Sequence, residues 1–246
     1  MPRTAEVSAS KYVNVNDLVL VQGWSDTRKT LREWNRRPWG ALRTWLPLSI
    51  AIAAGLLIAT TWVASLATPD PSVLRLPGIN APVDAGDVTY VLIRNALVLA
   101  LHGFACIAGF IAGSSLPLSA SKRSGLSRWV HEKAGPLAIG FVVCATLFSL
   151  TTQAYILGHT EADIANQLGI SPALLTVGLL PHALPELTAL FLPLAAWTIA
   201  SRRDEWHTLL AATFVTVGLA VPVLIVTSLV EVYLTPELLV ALSDKY

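Results

Sequence analysis

The chain has 246 residues and a formal charge of +1, with 54% hydrophobic but only 13% charged residues, and its mean hydropathy is +0.59. So few charges exclude an ordinary soluble domain, and the composition predicts an all-α polytopic membrane protein.

Residues 1–30 are polar and mixed, with one short apolar patch at 18–21. They lack a basic start followed by an apolar stretch and a cleavage site, so no removable signal peptide is expected and the first span serves as the insertion signal. Residues 31–45 interleave apolar and basic side chains. They read as an interfacial elbow on the inner leaflet, with Trp34, Trp39 and Trp45 as anchors and the arginines toward phosphates. Pro38 and Gly40 rule out one unbroken helix there. A solvated cytoplasmic helix preceding membrane entry is the alternative.

Five stretches are long and apolar enough to span a bilayer: about 46–68, 91–116, 136–157, 171–200 and 208–235. The expected organisation is a basic, Trp-containing segment over 1–45, one five-helix membrane domain over 46–236 and a short outer tail over 237–246. The loop 69–90 holds Pro69, Pro71, Pro77 and Pro82 and should be irregular, whereas 158–170 suits a short amphipathic helix ending at Gly169.

Basic residues set the orientation, because Lys and Arg are retained in the cytoplasm. The first 45 residues carry eight of them, 117–135 carries Lys122, Arg123, Arg128 and Lys133, and Arg202 and Arg203 follow the fourth span. The alternate connections hold only Arg75 and Lys245. The N-terminus is therefore expected inside and the C-terminus outside, as five crossings require. Trp39, Trp45, Trp129, Trp197 and Trp206 fall near the cytoplasmic ends, at headgroup level, and Trp62 in the outer half of the first span. This one-sided positive charge suits anionic lipid, and no nucleic-acid partner is expected. Cys106 and Cys144 lie within spans and read as buried free thiols.

Residues 181–186 interrupt the fourth span as Pro-His-Ala-Leu-Pro-Glu. His182 and Glu186, four apart, share a helix face, while Pro181 and Pro185 each remove a backbone donor and predict a broken helix. Counting ~1.5 Å per residue from the sequence boundaries puts Glu186 ~23 Å below the outer surface, His102 of the second span ~18 Å and Arg94 and Asn95 only ~6–8 Å. Glu231 in the fifth span falls at a depth similar to that of Arg94, so the two are expected to pair. His102 meets the His182 region if the second and fourth spans are neighbours, and Gly103, Gly109 and Gly113 permit close approach.

Ionisable groups at such depth serve helix contacts, an ion path or a partner. The bland reading is that His182 and Glu186 bridge a broken helix. Proton or ion conduction is a second reading, and an intramembrane metalloenzyme a third, short of ligands because His182 and Glu186 supply only two. No phosphate-binding loop or nucleophile elbow is present, so no catalytic residue, metal or cofactor is assigned.

Arg94-Asn95, the run Leu180-Pro181-His182-Ala183-Leu184-Pro185-Glu186-Leu187 and the run Glu231-Val232-Tyr233-Leu234-Thr235-Pro236 together resemble the stage II sporulation protein M family of integral membrane proteins, over roughly 88–240. The chain departs from that family's motif in having Ala183 where Gly usually follows the His, and keeps its later small-residue pattern only partly, in Ala195 and Ala196. The resemblance implies a non-catalytic scaffold or assembly subunit in a cell membrane, possessing membrane or envelope protein partners and linked to envelope remodelling. It puts Tyr233, Thr235 and Pro236 in the family motif. A permease-like or ion-conducting subunit is the alternative. Homo- and hetero-oligomers both fit.

Overall fold

A computed structural model describes residues 19–36, 38–115, 125–243 and 245. The N-terminal 18 residues, Arg37, Lys122 and Arg123 lie outside the described residues, as do the side chains of Arg128, Trp129 and Lys133. The described chain is almost wholly helical, and five of its helices are long and apolar enough to cross a membrane.

Helix α1 (Val19–Arg36) and α2 (Pro38–Leu66) are separate, with Pro38 opening the second, where its missing N–H is harmless. After an irregular loop comes α3 (Ala85–Phe110), closed by a π turn at Ile111–Ser115. Asp84 caps α3 by accepting from the Gly86 and Asp87 backbone N–H groups, while the Asp87 side chain accepts from Asp84 N, forming a reciprocal capping box. Helix α4 (Gly125–Leu168) has 44 residues, roughly 66 Å of helix and about twice the hydrocarbon thickness. Helix α5 (Pro172–Arg203) follows within a short turn, and α6 (Leu209–Leu229) leads through a π turn at Val230–Leu234 into α7 (Thr235–Leu242).

Two expectations are corrected. The segment 158–170 is no separate helix: α4 runs straight through it and stops at Gly169, whose φ of +72° ends the helix in the left-handed region. The fourth span is not broken at Pro181 and Pro185 either, since α5 is one helix containing Pro181, Pro185 and Pro193. Packing is the reason. Pro181 and Pro185 stand on the exposed side of α5, while His182, Glu186 and every residue from Ala189 to Trp197 are buried, so the opposite face holds the helix to its neighbours against the roughly 3 kcal/mol that an internal proline opposes.

Helix α5 is the axis of the bundle, packed against α2, α3 and α6, while α4 leans mainly on α2. Three side chains from neighbouring helices hydrogen-bond to α5 carbonyls close to Pro193: Ser49 Oγ to Thr188 O (2.5 Å), His102 Nδ1 to Leu190 O (2.9 Å) and Cys106 Sγ to Pro193 O (3.2 Å). Gly109 and Gly113 let α3 close on the end of α5 and the following turn. A Cβ at Gly109 would stand 2.5 Å from Trp197 Nε1, and one at Gly113 would run into the Trp206 ring.

Several tryptophans are buried within the bundle. Trp45, Trp197 and Trp206 are buried, Trp45 against Leu192, Ala195 and Ala212. Large rings fill the gaps left by the alanines and glycines facing them. Trp34 meets Trp45 edge-on with centroids 5.0 Å apart, and Trp39 alone of the three proposed anchors is strongly exposed. Cys106 is buried as expected, but Cys144 is exposed because α4 is peripheral.

The connections collect at two ends of the bundle. At one, the 67–84 loop is tied to α4 by Asp70 N donating to Asp163 (2.7 Å) and Leu74 N to Gln167 (2.8 Å), and the C-terminal Lys245 Nζ reaches Asn166 O (2.6 Å). Gly78 passes directly over Pro236. At the other end α1 docks on the start of α6, with Trp24 edge-on to Phe214.

Candidate functional site

Helices α3, α5 and α6 with its π turn bring Arg94, Glu186 and Glu231 together. The Nη2 nitrogen of Arg94 lies 3.4 Å from Glu231 Oε1 and 3.8 Å from Glu186 Oε1, so one guanidinium nitrogen serves two carboxylates. Glu231 occupies the π turn Val230–Leu234, where the widened backbone shifts the side chain off the regular helical register. Asn95 is buried beside the cluster, and Asn95 and Thr227 both stand next to Glu186.

The distances also revise the depths. Arg94 touches Glu186, so the two share a level and Glu186 does not sit far below it. Counts along separate helices have no common origin: α3 already begins at Ala85, and α5 begins at Pro172.

The remaining polar residues divide into two groups. His182, four residues from Glu186, turns instead to Thr235, with Nδ1 2.8 Å from Oγ1. Thr235 Oγ1 also lies 3.1 Å from Val230 O, an i−5 contact that the π turn creates. A hydroxyl has one proton, so its donation to Val230 O leaves the oxygen to accept from His182 Nδ1–H. His102 stays apart from this cluster, bonded to Leu190 O and tilted against Phe191 with centroids 5.5 Å apart. A carbonyl only accepts, so His102 Nδ1 carries the proton. Pro236 is buried under Gly78, whereas Tyr233 is exposed.

Glu161 belongs to a second buried polar group that the sequence reading did not single out. Thr176 Oγ1 approaches Glu161 Oε1 at 2.5 Å and Thr61 Oγ1 at 2.6 Å, linking α4, α5 and α2. A carboxylate that the hydropathy profile assigns to a loop gave no signal, because nothing local reveals that α4 carries it back against two threonines.

Several buried polar atoms around Arg94 have no hydrogen-bond partner: Asn95 Nδ2, Glu186 Oε2 and Glu231 Oε2. With both carboxylates ionised the group carries one surplus negative charge. Among the described residues no three His, Cys, Asp or Glu side chains gather as a metal site.

The family model described as Stage II sporulation protein M matches residues 136–236. Over that segment the chain is similar to the stage II sporulation protein M family. The matched segment covers the third to fifth spans and carries His182, Glu186, Glu231, Tyr233, Thr235 and Pro236. It is shorter than the expected 88–240 and leaves Arg94, Asn95 and His102 outside, so the family's segment supplies both carboxylates and a helix before it supplies their cation. No curated protein and no solved structure matches the chain.

Proposed function

We propose that this multi-pass membrane protein is a non-catalytic scaffold or assembly subunit of a larger membrane complex, residing in the cell membrane with its N-terminus in the cytoplasm. The observation that carries this reading is the state of α4. The first half of its membrane-crossing stretch, residues 139–153, is largely apolar and has no buried residue, although the second half packs through Ala154, Ala162, Ala165 and Leu168, whereas most of α5 is enclosed. Phe141, Phe148 and Tyr155 stand out from it, and a cleft between α3 and α4 is floored by Ala105, Ala108 and Ala145 with His102, Ser149 and Gln153 on its walls. Small residues permit close helix approach, and Gln and Ser side chains offer interhelical hydrogen bonds. Such a face suits the transmembrane helix of another protein, and the similarity to the stage II sporulation protein M family over residues 136–236 suggests envelope-remodelling factors as its class.

The test is photocrosslinking from a benzophenone amino acid placed at Phe148, in cells expressing the full chain, with mass spectrometric identification of the adducts. A discrete integral membrane or envelope protein captured at Phe148 but not from a site on α1 supports the scaffold. Capture of lipid alone would refute it.

A second reading, a permease-like or ion-conducting subunit, is favoured by the buried Arg94 cluster with its unpartnered carboxylate oxygens. Flux through proteoliposomes of the purified chain that disappears in Glu186→Gln would support it.

A further inference from the structure

The Arg94 cluster does not balance its own charge. Arg94 contributes one positive charge, and Glu186 and Glu231 two negative ones, all within 3.8 Å of a single nitrogen. Glu186 is 6% exposed and Asn95 only 2%. Each carboxylate turns Oε1 to Arg94 and has Oε2 buried without a hydrogen bond of normal geometry, although Asn95 and Thr227 stand beside Glu186. Uncompensated charge and bare polar atoms are unfavourable in apolar surroundings. Something with one positive charge and the ability to donate a hydrogen bond is therefore missing from the account.

We propose that Glu186 and Glu231 jointly hold one proton, so that the Arg94 cluster is an intramembrane proton-binding site. One proton brings the net charge to zero. It also converts one carboxyl into a donor, in a group whose unpartnered atoms are mostly acceptors. A metal cation fits less well. Only two carboxylate oxygens are free, fewer than the six or so that hard cations take, and the ion would be repelled by the guanidinium already bound to both carboxylates. A proton attaches to one oxygen and adds no separate charge centre.

Among the described residues the charged group facing the pair is Arg94 from α3, while His182 from α5 lies within reach of the charge on Arg94 and is bonded to Thr235. Glu231 reaches Arg94 from within the π turn Val230–Leu234. Binding of a proton requires no conduction, so this inference does not depend on the scaffold reading or on the transport reading.

The experiment uses the full chain in lipid nanodiscs, treated with dicyclohexylcarbodiimide, which modifies protonated carboxyls in apolar surroundings, followed by peptide mapping across a pH series. Labelling of Glu186 or Glu231 is expected, falling about tenfold per pH unit above the midpoint of titration and indifferent to sodium or potassium at constant ionic strength. Infrared difference spectra of the same samples cover the case in which the reagent cannot reach the site. A carboxylic-acid carbonyl band that is present in the parent and absent from the Glu186→Gln/Glu231→Gln variant supports the proposal. Protection by sodium or potassium overturns it in favour of a cation site. Absence of both labelling and the infrared band overturns it outright.

Discussion

Arg94 Nη2 sits 3.4 Å from Glu231 and 3.8 Å from Glu186, so one nitrogen of the second span joins the fourth and fifth. Arg94 is half exposed while Glu186 is buried, which makes the arginine the adaptable partner and the carboxylates the fixed ones. Replacing it leaves the carboxyl pair without its countercharge. Arg94→Ala is expected to destabilise the protein by roughly 1–3 kcal/mol, seen as a lower Tm in detergent. The Arg94→Ala/Glu186→Gln/Glu231→Gln variant should recover most of that loss, because neutral amides no longer need the guanidinium. A triple variant as unstable as Arg94→Ala would show that Arg94 acts through its packing.

The close approach of α3 to the end of α5 rests on two glycines. Gly109→Val puts atoms where Trp197 and Leu209 stand and should lower stability by roughly 1–3 kcal/mol. Gly55 has open space around its missing Cβ, so Gly55→Ala should be neutral or stabilising by roughly 0.5–1 kcal/mol. Thermal melts of the two variants beside the parent check the contrast, and equal melts would contradict the packing.

At the opposite end Thr176 bridges Glu161 and Thr61. Thr176→Val keeps the shape and removes the donor, leaving a buried carboxylate short of a partner, at a cost of roughly 1–3 kcal/mol. Thr176→Ser should restore it. Unfolding of the three proteins in parallel decides whether the hydroxyl or the methyl group matters.

The loop at 67–84 and the turn after α5 lie at opposite ends of the bundle. Single cysteines at Ser72 and Glu205, in a chain with Cys106 and Cys144 replaced, are expected to react with impermeant maleimide from opposite faces, Ser72 from outside. Labelling of both from one face would contradict the five-crossing arrangement, and reversed sides would contradict the orientation inferred from Lys and Arg.

The Asp70 carboxylate accepts the Ser72 backbone N–H at 2.8 Å, which holds its pKa below the ordinary aspartate value. A depressed pKa means that the turn is fully supported above the unfolded value, near 3.8, and loses support as pH falls through the lower folded one. Amide exchange at Ser72 should therefore show protection that disappears only in strong acid and is absent from Asp70→Ala, after correction for the intrinsic pH dependence of exchange.

Five spans were legible in the chain because hydrocarbon thickness imposes a length and lipid imposes a composition, and both are local properties of a segment. His182 and Glu186 could be singled out for the same reason: an ionisable residue inside an apolar run is conspicuous wherever the run folds. Arg94 and Glu231 were matched by depth alone, which works when two helices start near the same plane and fails when they do not, as it did for Glu186. The prolines misled in the opposite direction, since Pro181 and Pro185 lie on the exposed side of α5 while its buried face keeps the helix continuous. That Trp45, Trp197 and Trp206 are packed inside the bundle was not legible from their positions in the chain.

Composition by itself therefore determined that the chain holds five segments apolar and long enough to cross a bilayer and that His182 and Glu186 lie within one of them. Only the tertiary structure decided that one arginine nitrogen faces two carboxylates, that His182 belongs to Thr235 and His102 to a backbone carbonyl, and that Glu161 is buried at all. The division has a physical cause. Solvent preference acts on each segment separately, whereas a hydrogen bond or ion pair exists only when helices far apart in the chain settle at one height and one rotation against each other.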